Sequence, residues 1–382
     1  LPSLRQGSST FIISPDQGLQ DVIVAFKLPV QSYAGLAVPR AWGYKLINRV
    51  SVRYGGSSQY FWTGDQIFVE NMREMTSPNT RDVLVQLGGA EMKKPSDFQG
   101  DAMYAYVPLN LPHSSPNGGL LKPNPLPSEL LNQPIVITLE LNAIDSIFLE
   151  NVNVVGGAAA APTALEDAWF QTRMVHAHDA GALMRPMGHG AGYSFPLKAF
   201  YQNQIDVPLQ NTTTAQSITL TGFRAGDVRS IFFWIEDTAK TAAGNPFDFV
   251  LPRDVELLYN GLVYQRFKGT SSQIWDLMAC ETPSQFSNSI LAVVAGGAGT
   301  VPVDAAFTSS AKVSSWINMP FSQIYEQLSA SHLMVRGKMI ENAVVNVNLA
   351  LPATTTGNYV LHTVYSYNCL LFESAGSAEY VF

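Results

Sequence analysis

Charge is what this chain has least of. Lys, Arg, Asp and Glu together make up 14% of its 382 residues, against 46% hydrophobic residues. An ordinary soluble domain carries roughly 25% charged residues, so much of this surface must be neutral or covered, as in a protein that assembles. The 23 basic and 30 acidic residues give a formal net charge of −7 and form no runs. That excludes an electrostatic footprint for nucleic acid or an anionic membrane, and no direct nucleic-acid binding is expected. Cysteine is almost missing. Cys280 and Cys369 stand far apart in apolar surroundings, which fits reduced, buried packing better than a disulfide framework. Long apolar runs are missing too: "SILAVVAGGAGTVPV" (289–303) is broken by glycines and a proline, well short of the roughly 18 continuous residues of a membrane span. No basic segment precedes an apolar one at the N-terminus, so a soluble protein without a secretory signal is expected.

Catalytic signatures are equally sparse. "YGGSSQYFWTGD" (54–65) has neither the lysine nor the spacing of a phosphate loop, and it lacks the G-x-G-x-x-G of a dinucleotide fold. There is no G-x-S-x-G elbow, and neither cysteine has a flanking signature of activation. The densest polar group is "VHAHDAGALMRPMGHG" (175–190), with His176, His178, Asp179 and His189. His-x-His on a strand would place both imidazoles on one face, as a metal pair requires. In a Gly-rich connector these residues read more readily as solvated loop histidines, and no metal is assigned. His113, His332 and His362 stand apart. Glu140 with Asp145, or Glu236 with Asp237, could be named as glycosidase acids, but spacing alone gives such pairs no specificity. The aromatics Tyr54, Tyr60, Phe61, Trp62, Phe232, Phe233 and Trp234 could form a sugar platform; in strands they read first as core or subunit contacts. No catalytic residue or cofactor is expected, and the chain is read as non-enzymatic.

What the sequence has in abundance is strand texture. "DVIVAFKLPV" (21–30), "KLINRVSVRY" (45–54), "AMYAYVPLNL" (102–111), "PIVITLELNAIDSIF" (134–148) and "AWFQTRMVHA" (168–177) alternate or are rich in β-branched and aromatic residues. The pattern resumes with "QSITLTGF" (216–223), "VRSIFFWIED" (228–237), "DVELLYNGLVYQRF" (254–267), "NAVVNVNLAL" (342–351) and "YVLHTVYSYNCLLF" (359–372). Helical spacing is confined to 63–76, with Thr63 or Asp65 as cap, to 271–278, and more weakly to 320–328. An all-β chain is predicted, with a few short helices in its connections.

The two halves repeat one another. "VSVRYGGSSQYFWTG" aligns without a gap on "VELLYNGLVYQRFKG", so Tyr54 matches Tyr259, Gly55 matches Asn260 and Gly56 matches Gly261 at one offset of 259 − 54 = 205 residues. A period that long indicates a duplicated domain rather than a solenoid. Gly-Gly and Asn-Gly predict a type I′ hairpin turn in each copy, which makes these six the structural turn residues of the chain. Small-residue stretches also come in pairs, at 154–165 and 293–306, and read as surface loops. The Gly- and Pro-rich stretch 178–196 is the best linker, which places the first domain at 1–180 and the second at 181–382.

These landmarks resemble the double-jelly-roll major capsid proteins of large DNA viruses, a lineage shared with virophages, adenovirus hexons and tailless membrane-containing phages. "WGYKLINRVSVRYGGSSQYFWTGDQIF" (42–68) is similar to the family's strand that ends in a Gly-Gly turn and runs into a short helix. "AMYAYVPLNLP" (102–112), a Pro-rich loop and "PIVITLEL" (134–141) resemble its next landmarks, and "GDVRSIFFWIED" (226–237), "DVELLYNGLVYQRF" (254–267) and the closing 359–382 resemble those of the second half. The resemblance implies two tandem antiparallel eight-stranded jelly-roll β-sandwiches. It also implies a homotrimer whose six sandwiches form a pseudo-hexagonal capsomer, packed against neighbouring capsomers in an icosahedral virion shell and assembled inside the host cell. Penton and minor capsid proteins are the further partners it suggests; an internal membrane is not assigned. The Pro-rich 111–127 and the two small-residue stretches are the loops expected at the crown or the subunit clamps. The alternative from another class is a glycan-binding or glycan-processing protein on the same tandem scaffold.

Overall fold

In Ile135–Leu141, sequence IVITLEL, every second side chain from Ile135 onward is buried and the intervening ones are half-exposed. Such a segment can only sit with one face on a core, and strands of this kind build the molecule. The computed structural model describes residues 7–14, 18–57, 59–74, 86–92, 94–109, 111, 126–127, 134–150, 159–175, 185–186, 193–201, 205–210, 212–220, 226–238, 250, 252, 254–268, 316–320, 325–329, 332–335, 338–340, 345–351, 358–374 and 377–381. The connector at 178–196 lies mostly outside them, as do Cys280, the helix expected at 271–278, the stretch 293–306 and most of 111–127.

Two compact units make up the chain. The first comprises Leu1–Glu74, Asp82–Phe200 and Cys369–Phe382; the second comprises Met75–Arg81 and Tyr201–Asn368.

The first unit contains β1 (Ser8–Ile13), β2 (Gly18–Lys27), β3 (Leu36–Ala37), β4 (Ile47–Arg53), β5 (Tyr60–Trp62), β6 (Tyr104–Pro108), β7 (Leu126–Pro127), β8 (Ile135–Leu141), β9 (Leu149–Glu150) and β10 (Asp167–Val175). They form one antiparallel sheet in the order β1-β8-β4-β5 and another in the order β10-β2-β6, with β7 also on β2. A short β3–β9 pair lies apart, and β11 (Arg185–Pro186) pairs with β12 (Tyr193–Tyr201). Val22, Val24 and Phe26 of β2, Val50 and Val52 of β4, and Ile137 and Leu139 of β8 are fully or almost fully buried.

Two short helices brace this unit, α1 (Trp42–Leu46) and α2 (Gly64–Glu74). Thr63 caps α2: its hydroxyl oxygen accepts from the Gln66 N–H at 3.2 Å and its carbonyl from the Ile67 N–H. Ile67, Phe68 and Asn71, at helical spacing along α2, are buried; residues 75 and 76 of the expected 63–76 span lie outside the described residues. The helices meet edge to face through Tyr44 and Phe68, with ring centroids 5.2 Å apart, and Lys45 pairs with Asp65 at 2.7 Å. Gly64 is required at the junction, because a Cβ there would lie 2.0 Å from the Tyr44 carbonyl oxygen.

The second unit contains β13 (Ile205–Leu209), β14 (Gln216–Leu220), β15 (Gly226–Asp237), β16 (Asp254–Tyr259), β17 (Leu262–Lys268), β18 (Trp316–Pro320), β19 (Tyr325–Ser329), β20 (His332–Val335), β21 (Lys338–Ile340), β22 (Val345–Ala350) and the first part of β23 (Tyr359–Ser374). One sheet runs β14-β22-β16-β17. In the other, β15 pairs with β23, β18 and β21, and β13 pairs with β23. The end of β23 folds back on β24 (Ser377–Val381), which belongs to the first unit.

The helix expected at 320–328 is not formed. Trp316–Pro320 pairs with β15, and Tyr325–Ser329 forms a hairpin with β20. Long-range pairing overrides a short local period, since a helix at 320–328 would leave β20 without its ladder.

The units repeat each other strand for strand. β1, β8, β4 and β5 stand in the first in the order that β14, β22, β16 and β17 take in the second; likewise β10, β2 and β6 match β23, β15 and β18. Each set of equivalents follows the same order along the chain.

Candidate functional site: paired hairpins and a bridged histidine

The duplicated hairpin holds its register to the residue. In the first unit Val50 pairs with Trp62, Ser51 with Phe61 and Val52 with Tyr60. In the second, Val255 pairs with Phe267, Glu256 with Arg266 and Leu257 with Gln265, each position 205 residues further on. Seven residues therefore separate the innermost of these pairs in both copies, 53–59 and 258–264.

The turns sit at the same place and differ in type. Asn260 and Gly261 both have positive φ, 49° and 77°, between directly paired Tyr259 and Leu262, as the type I′ expectation requires. In the first copy only Gly55 has positive φ, 55°. With Gly56 outside that region, the φ signs are those of a II′ turn, whose first central position takes glycine. Ser57 closes this turn: its N–H donates to the Tyr54 carbonyl at 3.0 Å, and its hydroxyl oxygen accepts from the Tyr54 N–H at 3.1 Å.

Burial separates the copies sharply. Tyr54, Gly55, Ser57 and Tyr60 are buried within the first unit. Gly56 and its counterpart Gly261 are both exposed, but of the other counterparts at the second tip Tyr259 is half-buried, Asn260 and Leu262 are exposed, and Val263 is exposed beside them. The apolar residues thus lie on the open tip and the serine on the enclosed one.

Among the described residues the aromatics weighed as a sugar platform pack rather than line a surface, and the Phe232 side chain lies outside the described residues. Tyr54, Tyr60, Trp62, Phe233 and Trp234 are buried, and Phe61 is half-buried under the Arg49 guanidinium, 5.5 Å from its ring centroid. Nor do the named carboxylates face a shared cleft. Glu140 accepts from Arg49 at 2.5 Å, while Asp145 lies in the turn after β8. Glu236 and Asp237 are adjacent on β15, and neighbouring strand residues point to opposite faces. His113, His176, His178, Asp179 and His189 lie outside the described residues, and among the described residues no cluster suits a metal ion.

His362, which the sequence leaves isolated, is bridged. It stands on β23 opposite Asp206 of β13 and opposite Trp234 of β15. Its Nδ1 lies 2.7 Å from Asp206 Oδ1, its Nε2 lies 2.8 Å from Glu236 Oε2, and its ring stacks on Trp234 at 5.3 Å. Its partners are 156 and 126 residues away in sequence, so no local motif could have signalled this arrangement.

No family model matches the chain, and no curated protein matches it by sequence. Solved structures do. The PBCV-1 virus capsid matches with a TM-score of 0.59 at 12% identity, covering 99% of this chain and 93% of that one. The mavirus major capsid protein matches at 0.57 and 12% identity over 100% of this chain and 88% of its own. The Faustovirus major capsid protein matches at 0.59 and 9% identity, with 98% and 88% covered. Likeness over the whole length defines the class: this is the double-jelly-roll fold of viral major capsid proteins, two antiparallel β-sandwiches in tandem.

Proposed function

We propose that the chain is a structural major capsid protein, three copies of which associate into a pseudo-hexameric capsomer that tiles an icosahedral virion shell. The observation that carries this reading is the strand-for-strand repetition of two sandwiches across a chain that spans known capsid proteins nearly end to end. A trimer of double sandwiches presents near-sixfold edges while closing with threefold symmetry, which is what a hexagonal lattice needs. Sequence halves 1–180 and 181–382 are the duplicated segments in this reading, since each holds one set of the seven equivalent strands, with 178–196 joining them. The six turn residues Tyr54, Gly55, Gly56, Tyr259, Asn260 and Gly261 then serve architecture, with no catalytic role.

Low charge favours the same conclusion, because buried charges cost free energy unless paired and broad neutral faces avoid that cost. Leu262 and Val263 at the open hairpin tip are the contact assigned to a neighbouring copy. Neighbouring capsomers, penton and minor capsid proteins are the further partners this role would bring. Size-exclusion chromatography with light scattering, followed by negative-stain microscopy, tests the reading. Trimers that form hexagonal sheets or shells are expected, and a stable monomer at micromolar concentration would overturn it.

A further inference from the structure

The second unit holds a buried imidazole between two carboxylates drawn from different strands. Asp206 comes from β13, Glu236 from β15 and His362 from β23. An ionised carboxylate only accepts hydrogen bonds, whereas a neutral imidazole has one donor and one lone pair. With both ring nitrogens within 2.8 Å of carboxylate oxygens, and with both carboxylates ionised, only the doubly protonated ring satisfies both contacts. In the neutral ring a lone pair would face a carboxylate at close range.

We propose that His362 is held as an imidazolium and acts as a proton-dependent clasp, fastening β13 to the β15–β23 ladder of the second unit and releasing it as the ring loses its proton. Among the described residues, the titratable groups on the His362 face are Asp206 on β13 and Glu236 on β15. Asp237 lies on the other face of β15, and the next strand, β18, has the sequence WINMP with no titratable side chain. The even-numbered neighbours on β23 are Val360 and Val364.

The sign follows from the charges. Two carboxylates favour the charged ring in the native state, so the clasp is complete below the ordinary imidazole range, near pH 6.5, and is lost as pH rises through the native ring's own titration. On the acid side it is lost when Asp206 and Glu236 take up protons. Trp234 stacks on the ring, and the His362 and Glu236 side chains are 7% and 15% exposed, so that contact is shielded from water, whereas the Asp206 carboxylate is half open to it.

Nitrogen NMR of histidine-labelled protein reads the protonation state directly, with the His362 signal assigned by its absence in His362→Gln. At pH 7 both ring nitrogens are expected to carry protons, and a neutral ring at that pH would overturn the proposal. Hydrogen exchange over 205–209, corrected for intrinsic pH dependence, reads the strand. Its protection is expected to fall at least tenfold across the ring's titration in the wild type. Asp206→Asn keeps the buried partners, because the Asp206 side chain is 54% exposed. It should move the midpoint down by about one pH unit. An unmoved midpoint, or a wild-type strand with no alkaline step, would sink the clasp while leaving the capsid reading untouched.

Discussion

Ser57 and Leu262 occupy the same position in the two copies of one hairpin, yet Ser57 is 4% exposed and Leu262 is 76% exposed. Solvation alone would place them the other way round. The enclosed serine is explained by its two hydrogen bonds to Tyr54, which satisfy its hydroxyl oxygen and close the turn. A partner over the open tip would explain the leucine, and Val263, 54% exposed, extends the patch.

Replacing Leu262 and Val263 together by serine, the residues found at 57 and 58, is expected to leave each unit folded and to weaken trimers at least tenfold. Light scattering across a dilution series checks this, with circular dichroism to confirm the fold. Trimers of undiminished stability would remove the tip from the interface without touching the oligomer itself.

Gly64→Ala should be among the most damaging single changes in the first unit. The added carbon would lie 2.0 Å from the Tyr44 carbonyl oxygen and 2.6 Å from that of Ile47. Backbone cannot yield as a flexible side chain can, so a loss of about 3 kcal/mol is expected in chemical denaturation. A loss below about 1 kcal/mol would show that α2 can shift away from α1.

Asn71 ties α2 to two other elements. Its amide donates to the Tyr44 hydroxyl at 3.1 Å and to the Pro108 carbonyl at 2.9 Å, and the residue is fully buried. Asn71→Leu keeps the volume and strands the carbonyl, at an expected cost of about 1–3 kcal/mol. The loss should show as faster hydrogen exchange in α2 before global unfolding.

Asp21 gives the first unit a pH dependence of definite sign. Burial holds its carboxyl above the ordinary 3.8, and Arg173, 3.5 Å away, opposes that only in part. The native state then binds this proton more tightly than the unfolded chain, so its contribution to stability declines as pH climbs from 3.8 through the native value and levels off beyond. Asp21→Asn lacks that decline. Its stability relative to wild type should rise between pH 3 and pH 7 by up to about 1 kcal/mol, measured by urea denaturation at both; a difference that shrinks with pH would contradict the assignment.

Much of this was legible in the residues themselves. Alternation in IVITLEL and β-branched runs such as DVIVAF dictated strands, because a half-buried pleated surface accepts little else. The gapless match at an offset of 205 carried the duplicated hairpin down to its pairing register, since equal loop lengths between like strands leave one way to pair. Tertiary structure decided the rest. It made strands of 316–320 and 325–329, because β15 and β20 offered ladders, the second of which a short helical period at 320–328 could not outweigh. It buried Gly55 and Ser57 at one hairpin tip and left Asn260 and Leu262 exposed at the other, although both carry the same turn signal. And it brought His362 between carboxylates more than a hundred residues distant, because only sheet order, which local sequence does not encode, sets which strands become neighbours.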